Sequence, residues 1–150
     1  MDASIAAAGP GDRAELASLL AAQLAEHEIP IESARLAAAI DGALEDPRRG
    51  SFLLARREGR AVGVAYLSLV WAIEHGGRSA WLEELYVVPE LRGRGLGARL
   101  LDAVLVHARG LGCAAVDLEV EASHARAAAL YRRAGFRPHQ RARWVLRLEK

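Results

Sequence analysis

Apolar residues recur along the chain with two periods, and each period predicts one kind of element. Apolar residues three or four positions apart predict four helices, at residues 12–27, 33–46, 97–110 and 125–133. Short apolar runs, some alternating with polar residues, predict six strands: Ser4–Ala8, Phe52–Arg56, Ala61–Ile73, Ala80–Val88, Ala114–Val120 and Arg141–Leu148. Turn sequences at 58–59 and 75–78 join three of these strands as hairpins. The pattern predicts an α/β, or mixed α+β, fold with a largely antiparallel sheet.

A loop rich in glycine and arginine follows the strand that ends at Val88. Its residues are Arg92, Gly93, Arg94, Gly95, Leu96, Gly97 and Ala98, and the third predicted helix begins within it. Backbone N–H groups at a helix N-terminus, together with the positive end of the helix dipole, favour a bound anion. The two guanidinium groups add donors that suit phosphate. We therefore expect this loop to hold a phosphate ester.

Two nucleotide-binding motifs compete to explain the loop. A mononucleotide P-loop needs lysine and then serine or threonine after its last glycine, whereas alanine and arginine stand here. A dinucleotide fingerprint fits better, because Gly93, Gly95 and Ala98 match G-x-G-x-x-A and acidic residues follow at about the right distance. Against this second motif, hairpins precede the loop, whereas a doubly wound sheet needs helical crossovers between its strands.

The residues around the loop resemble the GNAT superfamily of N-acetyltransferases. The superfamily's pyrophosphate motif is Arg or Gln, two residues, Gly, one residue, and Gly or Ala, which Arg92, Gly95 and Gly97 meet. The sequences ELYVVPELRG, before the loop, and ALYRRAGF, at Ala129–Phe136, match its central strand and its late tyrosine. This resemblance, over Leu82–Pro138, implies six to seven strands with about four flanking helices and splayed central strands. It also implies direct acetyl transfer from acetyl-CoA to a primary amine of a small molecule, peptide or protein.

The resemblance also implies which groups hold the cofactor. Backbone groups of Leu85, Tyr86 and Val87 are expected to pair with the pantetheine amides, as an added strand would. Residues 92–98 are expected to bind the pyrophosphate.

Two residues near the C-terminus are assigned roles by the same resemblance. Tyr131 matches the family tyrosine, and its phenol, protonated at neutral pH, is the expected acid for the leaving thiolate. Many relatives carry asparagine seven residues earlier, where His124 stands here. An imidazole can still donate a hydrogen bond to the cofactor, but this contact would depend on pH.

The general base is open between glutamates on two strands. Glu83 and Glu84 are adjacent, so strict alternation places them on opposite faces, with Glu84 on the face of Leu82. Relatives with an acidic pair commonly turn the first acid towards the acceptor, which favours Glu83. Glu119 competes, because LEVEAS at 118–123 resembles the strand that carries the base in bacterial ribosomal-protein alanine N-acetyltransferases. The unperturbed pKa of a glutamate side chain is about 4.3, so burial or a water relay is needed for a glutamate to deprotonate an ammonium.

The resemblance places the acceptor between the link joining the first two helices and the hairpin before the central strand. An acidic, aromatic mouth suited to a cationic amine is expected from Glu26, Glu28, Trp71, Glu74 and Glu83. A polyamine, an aminoglycoside or a peptide N-terminus has this chemistry.

Composition narrows the setting of this chemistry. The 150 residues suit one domain, 1–150, and a net charge of +1 gives no long-range attraction to nucleic acid or membrane. The single cysteine, Cys113, and the lack of an export signal favour the cytoplasm. No histidine spacing predicts a metal site. Besides the amine acceptor, a second copy of the chain in a homodimer is compatible with the sequence, and a non-catalytic acyl-CoA-binding regulatory module is the alternative function.

Overall fold

The computed structural model describes residues 2–149, which form two compact units, 2–119 and 120–149. The first unit consists of β1 Ser4–Ala7, α1 Arg13–Glu26, α2 Ser33–Glu45, β2 Gly50–Arg57, β3 Arg60–Ala72, β4 Gly77–Val87, α3 Leu96–Gly110 and β5 Val116–Leu118, with short 3-10 helices at Pro10–Asp12 and Pro89–Leu91. The second unit contains α4, Ala125–Arg133. The four predicted helices are therefore present, and none within residues 2–149 is long and apolar enough to span a bilayer.

The strands of the first unit form one sheet in the order β1-β2-β3-β4-β5. The first four are antiparallel to their neighbours, and β5 is parallel to β4. This confirms the mixed, largely antiparallel sheet. The dinucleotide-binding hypothesis is wrong, because tight hairpins join the strands before the glycine loop and leave no room for the crossovers of a doubly wound sheet.

Helices cover both faces of the sheet. Leucines of α1 and α2 pack in one buried cluster with sheet residues that include Phe52, Val64 and Tyr86. The opposite face meets α3, since a Cβ at Gly63 of β3 would lie 3.5 Å from the Leu100 side chain. Side chains of β4 thus point either to α1 and α2 or to α3.

The predicted last strand, Arg141–Leu148, is wrong. Residues 141–148 have no regular secondary structure, and the side chains of Trp144, Val145 and Leu146 are exposed. Alternating basic and apolar residues suit a strand, but a strand also needs a neighbour that pairs with its backbone groups. The described residues consequently form five strands rather than six to seven, and β5 is three residues long rather than seven.

Candidate functional site

The glycine loop leads into α3 through two residues with left-handed backbone. Gly93 has φ of 77° and Gly95, which precedes the helix, has φ of 84°, conformations that L side chains disfavour. Because the N-cap is glycine, no side chain caps the helix. The N–H groups of residues 96–98 have no partner within α3, because the first hydrogen bond of the helix runs from the Arg99 amide to the Gly95 carbonyl. This arrangement can bind an anionic ester through the backbone.

The two arginines of the loop have different surroundings. Arg92 donates from Nε to the Val87 carbonyl at 2.9 Å, and from Nη1 and Nη2 to the two Glu26 carboxylate oxygens at 2.7 and 2.8 Å. Its guanidinium also lies over the Tyr86 ring, 5.3 Å from the centroid. Hydrogen bonding to Glu26 raises the pKa of Arg92 further. Arg94 is exposed, and its side chain has no hydrogen-bond or ion-pair partner among residues 2–149.

Within residues 2–149, the second half of β4 has one edge with no neighbouring strand. Strand β5 pairs with β4 only over Ala80–Leu82, whereas β3 pairs with β4 as far as Val87. The Val87 carbonyl points to the open edge, where it accepts a hydrogen bond from Nε of Arg92. Backbone groups of alternate residues share an edge, so those of Leu85 also face it, while those of Tyr86 face β3. Of the three residues expected to bind pantetheine, Leu85 therefore has its backbone groups at the open edge and uncommitted to β3.

A β-bulge lies between the two glutamates of β4 and changes which face each occupies. Leu67 pairs with Leu82, but the next residue, Tyr66, pairs with Glu84, so Glu83 is the extra residue. Cross-strand partners share a face, and Leu67 and Tyr66 point to opposite faces. Glu84 therefore lies opposite Leu82, which corrects the strict alternation expected from the sequence.

The bulge places Glu84 on the face that packs against α1 and α2, in company with Tyr66 and Tyr86. Burial there raises the pKa of the Glu84 carboxyl from 4.5 to about 7, and the neighbouring Glu83 carboxylate adds to the effect. Burial likewise raises the pKa of the Tyr66 phenol, whose ring lies 4.5 Å from that of Phe52. Glu84 is thus the carboxyl of β4 that can accept a proton near neutral pH.

The two bases expected from the sequence lie in more open places. Glu83 is exposed at the bulge, and Glu119 is exposed directly after β5. Asp117 of β5 makes a 2.9 Å contact with Nε2 of His75, in the turn between β3 and β4. The same hairpin carries Trp71, which is 74% exposed, and Glu74, which is in the turn. The hairpin is therefore tied to β5 with its predicted acceptor residues on the surface.

The link between α1 and α2 carries a pocket. Glu28 has φ of 56°, in the left-handed region, and the Ile29 amide donates back to the Leu24 carbonyl at 2.9 Å, which ends α1 in a Schellman turn. An open pocket of about 460 Å³ follows, lined by Ala21, Leu24, Ala25, Glu28, Ile29, Pro30, Ile31, Ser33 and Leu36. The pocket is largely apolar with a single carboxylate, so it suits an amine attached to an apolar group.

The second unit carries the two remaining predicted residues. Tyr131 lies on α4, and its ring meets Phe136 edge-on at 5.8 Å between centroids. The Phe136 amide donates to the Tyr131 carbonyl at 3.0 Å, which closes the end of the helix. His124 immediately precedes α4. Within residues 2–149 no group of three or more His, Cys, Asp or Glu side chains is placed to hold a metal ion.

Comparison with known proteins decides the family. Residues 15–136, which include the link after α1, strand β4, the glycine loop and Tyr131, match the acetyltransferase (GNAT) family. The chain belongs to the GNAT family. The resemblance seen in the glycine loop and in ALYRRAGF is thereby confirmed.

Curated GNAT relatives are similar to this chain over only part of their own length. A mycothiol acetyltransferase of Propionibacterium freudenreichii is 41% identical over 85 residues, which cover 56% of this chain and 27% of that protein. An uncharacterized N-acetyltransferase of Mycobacterium tuberculosis is 38% identical over 94 residues, 63% of this chain and 56% of that protein. The chain thus spans about a quarter of the first relative and just over half of the second.

Solved GNAT structures match over nearly the whole chain. An integron cassette protein from the mobile metagenome of Cole Harbour Salt Marsh has a TM-score of 0.86 at 27% identity, covering 97% of this chain and 91% of that one. An aminoglycoside N-acetyltransferase in complex with CoA has a TM-score of 0.83 at 17% identity, covering 98% and 95%. A predicted acetyltransferase of Clostridium acetobutylicum, solved with acetyl-CoA, scores 0.82 at 16%, covering 97% and 96%. The last two likenesses establish the fold.

The sequence names Glu84 and Glu26 but does not predict their surroundings. Strict alternation places Glu84 on the wrong face, and no local signal marks the bulge. Glu26 is expected near an acceptor amine, whereas its carboxylate accepts hydrogen bonds from Arg92, a residue 66 positions away. A salt bridge between residues so far apart leaves no spacing pattern in one sequence.

Proposed function

We propose that the protein is an acetyl-CoA-dependent N-acetyltransferase that acts by direct transfer. The amine nitrogen attacks the thioester carbonyl, a C–N bond forms, the C–S bond breaks and coenzyme A leaves as a thiolate. The proton lost by the amine goes to a carboxylate, and the thiolate takes a proton from an acid. The observation that carries the proposal is the uncapped N-terminus of α3, next to the open edge of β4.

The donor half of the proposal rests on backbone groups. The N–H groups of residues 96–98 would hold the pyrophosphate, with Arg94 as the neighbouring positive charge. The open edge at Leu85 would pair with the pantetheine arm as an added strand does. Bound CoA and acetyl-CoA in solved structures of the same fold support this choice of donor.

Glu84 is the proposed general base. A carboxyl with pKa about 7 is half ionised at neutral pH, and it takes a proton from an ammonium more readily than one with an ordinary pKa. Its burial on the face of α1 and α2 supports this role over the exposed Glu83 and Glu119. Tyr131 remains the proposed acid and His124 a proposed cofactor contact, on the strength of their places in the family motif.

The proposed acceptor is a cationic amine on an apolar body. Its ammonium would meet Glu28 and its body the apolar wall formed by Ile29, Pro30 and Ile31. The relative named mycothiol acetyltransferase acts, by its name, on a small molecule, which supports a small-molecule acceptor. Trp71 and Glu74 would extend the site along the hairpin.

Release of free CoA from acetyl-CoA across a panel of amines tests the proposal. The panel pairs apolar cationic amines with anionic amino acids of similar size, and we expect the first group to react faster. Tight binding of acetyl-CoA without CoA release from any amine would instead identify a non-catalytic regulatory module. Failure to bind acetyl-CoA would reject both functions.

A further inference from the structure

Arg92 is held on three sides by the protein itself. Its Nε donates to the Val87 carbonyl at 2.9 Å, and both Nη atoms donate to Glu26 at 2.7 and 2.8 Å. The Tyr86 ring covers one face of the guanidinium at 5.3 Å. These contacts join the open edge of β4, the buried face of the sheet and the last residue of α1 at a single side chain.

This arrangement assigns the two loop arginines different tasks. A guanidinium has five N–H donors in a rigid fork, and the Glu26 and Val87 contacts of Arg92 fix the direction of that fork. Turning it towards a phosphate would break the bidentate pair. Arg94 has no such commitment among residues 2–149 and is exposed beside the uncapped start of α3. Arg94 therefore supplies charge to the anion, while Arg92 is left to fix the position of the loop.

Glu26 is the point through which Arg92 reaches the acceptor side. It ends α1, and the Schellman turn at Glu28 and the apolar pocket of residues 28–31 follow directly. A displacement of the end of α1 would move this link as well.

We propose that Arg92 is a positioning residue that couples the donor loop to the acceptor link through Glu26. Binding of acetyl-CoA then steadies the loop, Arg92 and Glu26 together, and so steadies the link at residues 27–32. The proposal rests on the proposed function, because it takes the loop as the donor site and the link as the acceptor site.

A double-mutant cycle on acetyl-CoA affinity tests the proposal. The variants are Glu26→Gln, Arg92→Gln and the double substitution, and glutamine at position 92 is a residue that the family motif itself allows. Each single substitution is expected to weaken acetyl-CoA binding by about three- to tenfold. The double variant is expected to bind acetyl-CoA no more weakly than either single variant. If Arg92 bound phosphate directly, Glu26→Gln would free its guanidinium and tighten acetyl-CoA binding. Arg92→Gln would then weaken binding as much in the Glu26→Gln background as in the wild type. Either result overturns the proposal.

Asp41→Asn is the matched control, because it removes the partner of Arg13, 2.6 Å away at the other end of α1. Both ion pairs are partly exposed, so neither substitution should unfold the helix. We expect Asp41→Asn to bind acetyl-CoA like the wild type.

Hydrogen exchange and steady-state kinetics supply readouts that simple loss of structure would not produce. In the wild type and in Asp41→Asn, CoA should slow amide exchange in residues 27–32 as well as in 93–98. In Glu26→Gln the protection of 27–32 should be lost while that of 93–98 remains, and KM for the acceptor should rise with kcat little changed. Equal protection of the link in Glu26→Gln and wild type would overturn the coupling. Wild-type protein that fails to bind acetyl-CoA would overturn the proposed function as well, so the two failures are distinguishable.

Discussion

Replacement of Glu84 by glutamine tests the proposed base through both stability and activity. The pKa of this carboxyl is raised from 4.5 to about 7 by burial and by Glu83. Below pH 4.5 both folded and unfolded states are protonated, so the raised pKa has no effect there. Between pH 4.5 and 7 the unfolded chain ionises while the folded one stays protonated, and the native state loses stability as pH rises. Glutamine does not titrate and escapes this loss.

The shift sets the size of the expected effect. At about 1.4 kcal/mol for each pKa unit, the upper bound is about 3 kcal/mol above pH 7. Glu84 is half-buried, so solvent screening reduces this to roughly 1–2 kcal/mol. We therefore expect Glu84→Gln to exceed the wild type in free energy of unfolding by roughly 1–2 kcal/mol at pH 8, and to match it near pH 4.

Urea unfolding at several pH values measures the stability difference, and the pH profile of kcat/KM measures the role in catalysis. The wild type should show an acidic limb with an apparent pKa near 7 in its rate profile. In Glu84→Gln this limb should disappear and turnover should fall by about 10²- to 10⁴-fold. A variant that keeps both the limb and the turnover would refute the assignment.

Glu83→Gln separates the two glutamates of β4. Removing the negative charge next to Glu84 lowers the pKa of Glu84, since that charge contributes to its elevation. The acidic limb should therefore move to lower pH with its plateau preserved. Loss of the limb in Glu83→Gln would make Glu83 the base instead.

Three further substitutions test other parts of the molecule. Gly95→Ala, at φ of 84°, should destabilise the fold by about 1–2 kcal/mol and weaken acetyl-CoA binding about tenfold. The control Gly110→Ala, which has equally open space and an ordinary φ, should have neither effect. Equal acetyl-CoA binding by both variants would contradict the role of the loop in binding the donor. Tyr131→Phe should lower kcat with little change in acetyl-CoA affinity, and unaltered turnover would remove it from the acid role. Glu28→Gly, at φ of 56°, should raise the free energy of unfolding by about 1 kcal/mol in urea while raising KM for the acceptor, and an unchanged KM would exclude Glu28 from the pocket.

The local parts of this structure were predictable from sequence. Helix α2 and helix α4 begin and end within about one residue of their predicted bounds, because an apolar stripe, a proline and a terminal glycine mark them. The turn into α3 was predictable for a similar reason, since Gly93 and Gly95 occupy the positions that require positive φ.

The non-local parts were not predictable in this way. The segment 141–148 has a strand pattern and no strand, because pairing depends on a neighbour that the segment's own residues do not specify. The pocket at 28–31 depends on how the turn after α1 closes, which requires the left-handed conformation at Glu28, a residue type that seldom adopts it.

The bulge at Glu83 decides how the two halves of the proposed site are related. Without it, Glu84 would face α3 with Leu82; with it, Glu84 joins Tyr86 on the face of α1 and α2. The Tyr86 ring lies under the guanidinium of Arg92, which forms an ion pair with Glu26 at the end of α1. The proposed base, the coupling residue and the acceptor link therefore belong to the same side of β4, while the donor uses its open edge. An acceptor amine would then approach the thioester from the α1 and α2 face, and substitutions on the α3 face should leave acceptor specificity unchanged.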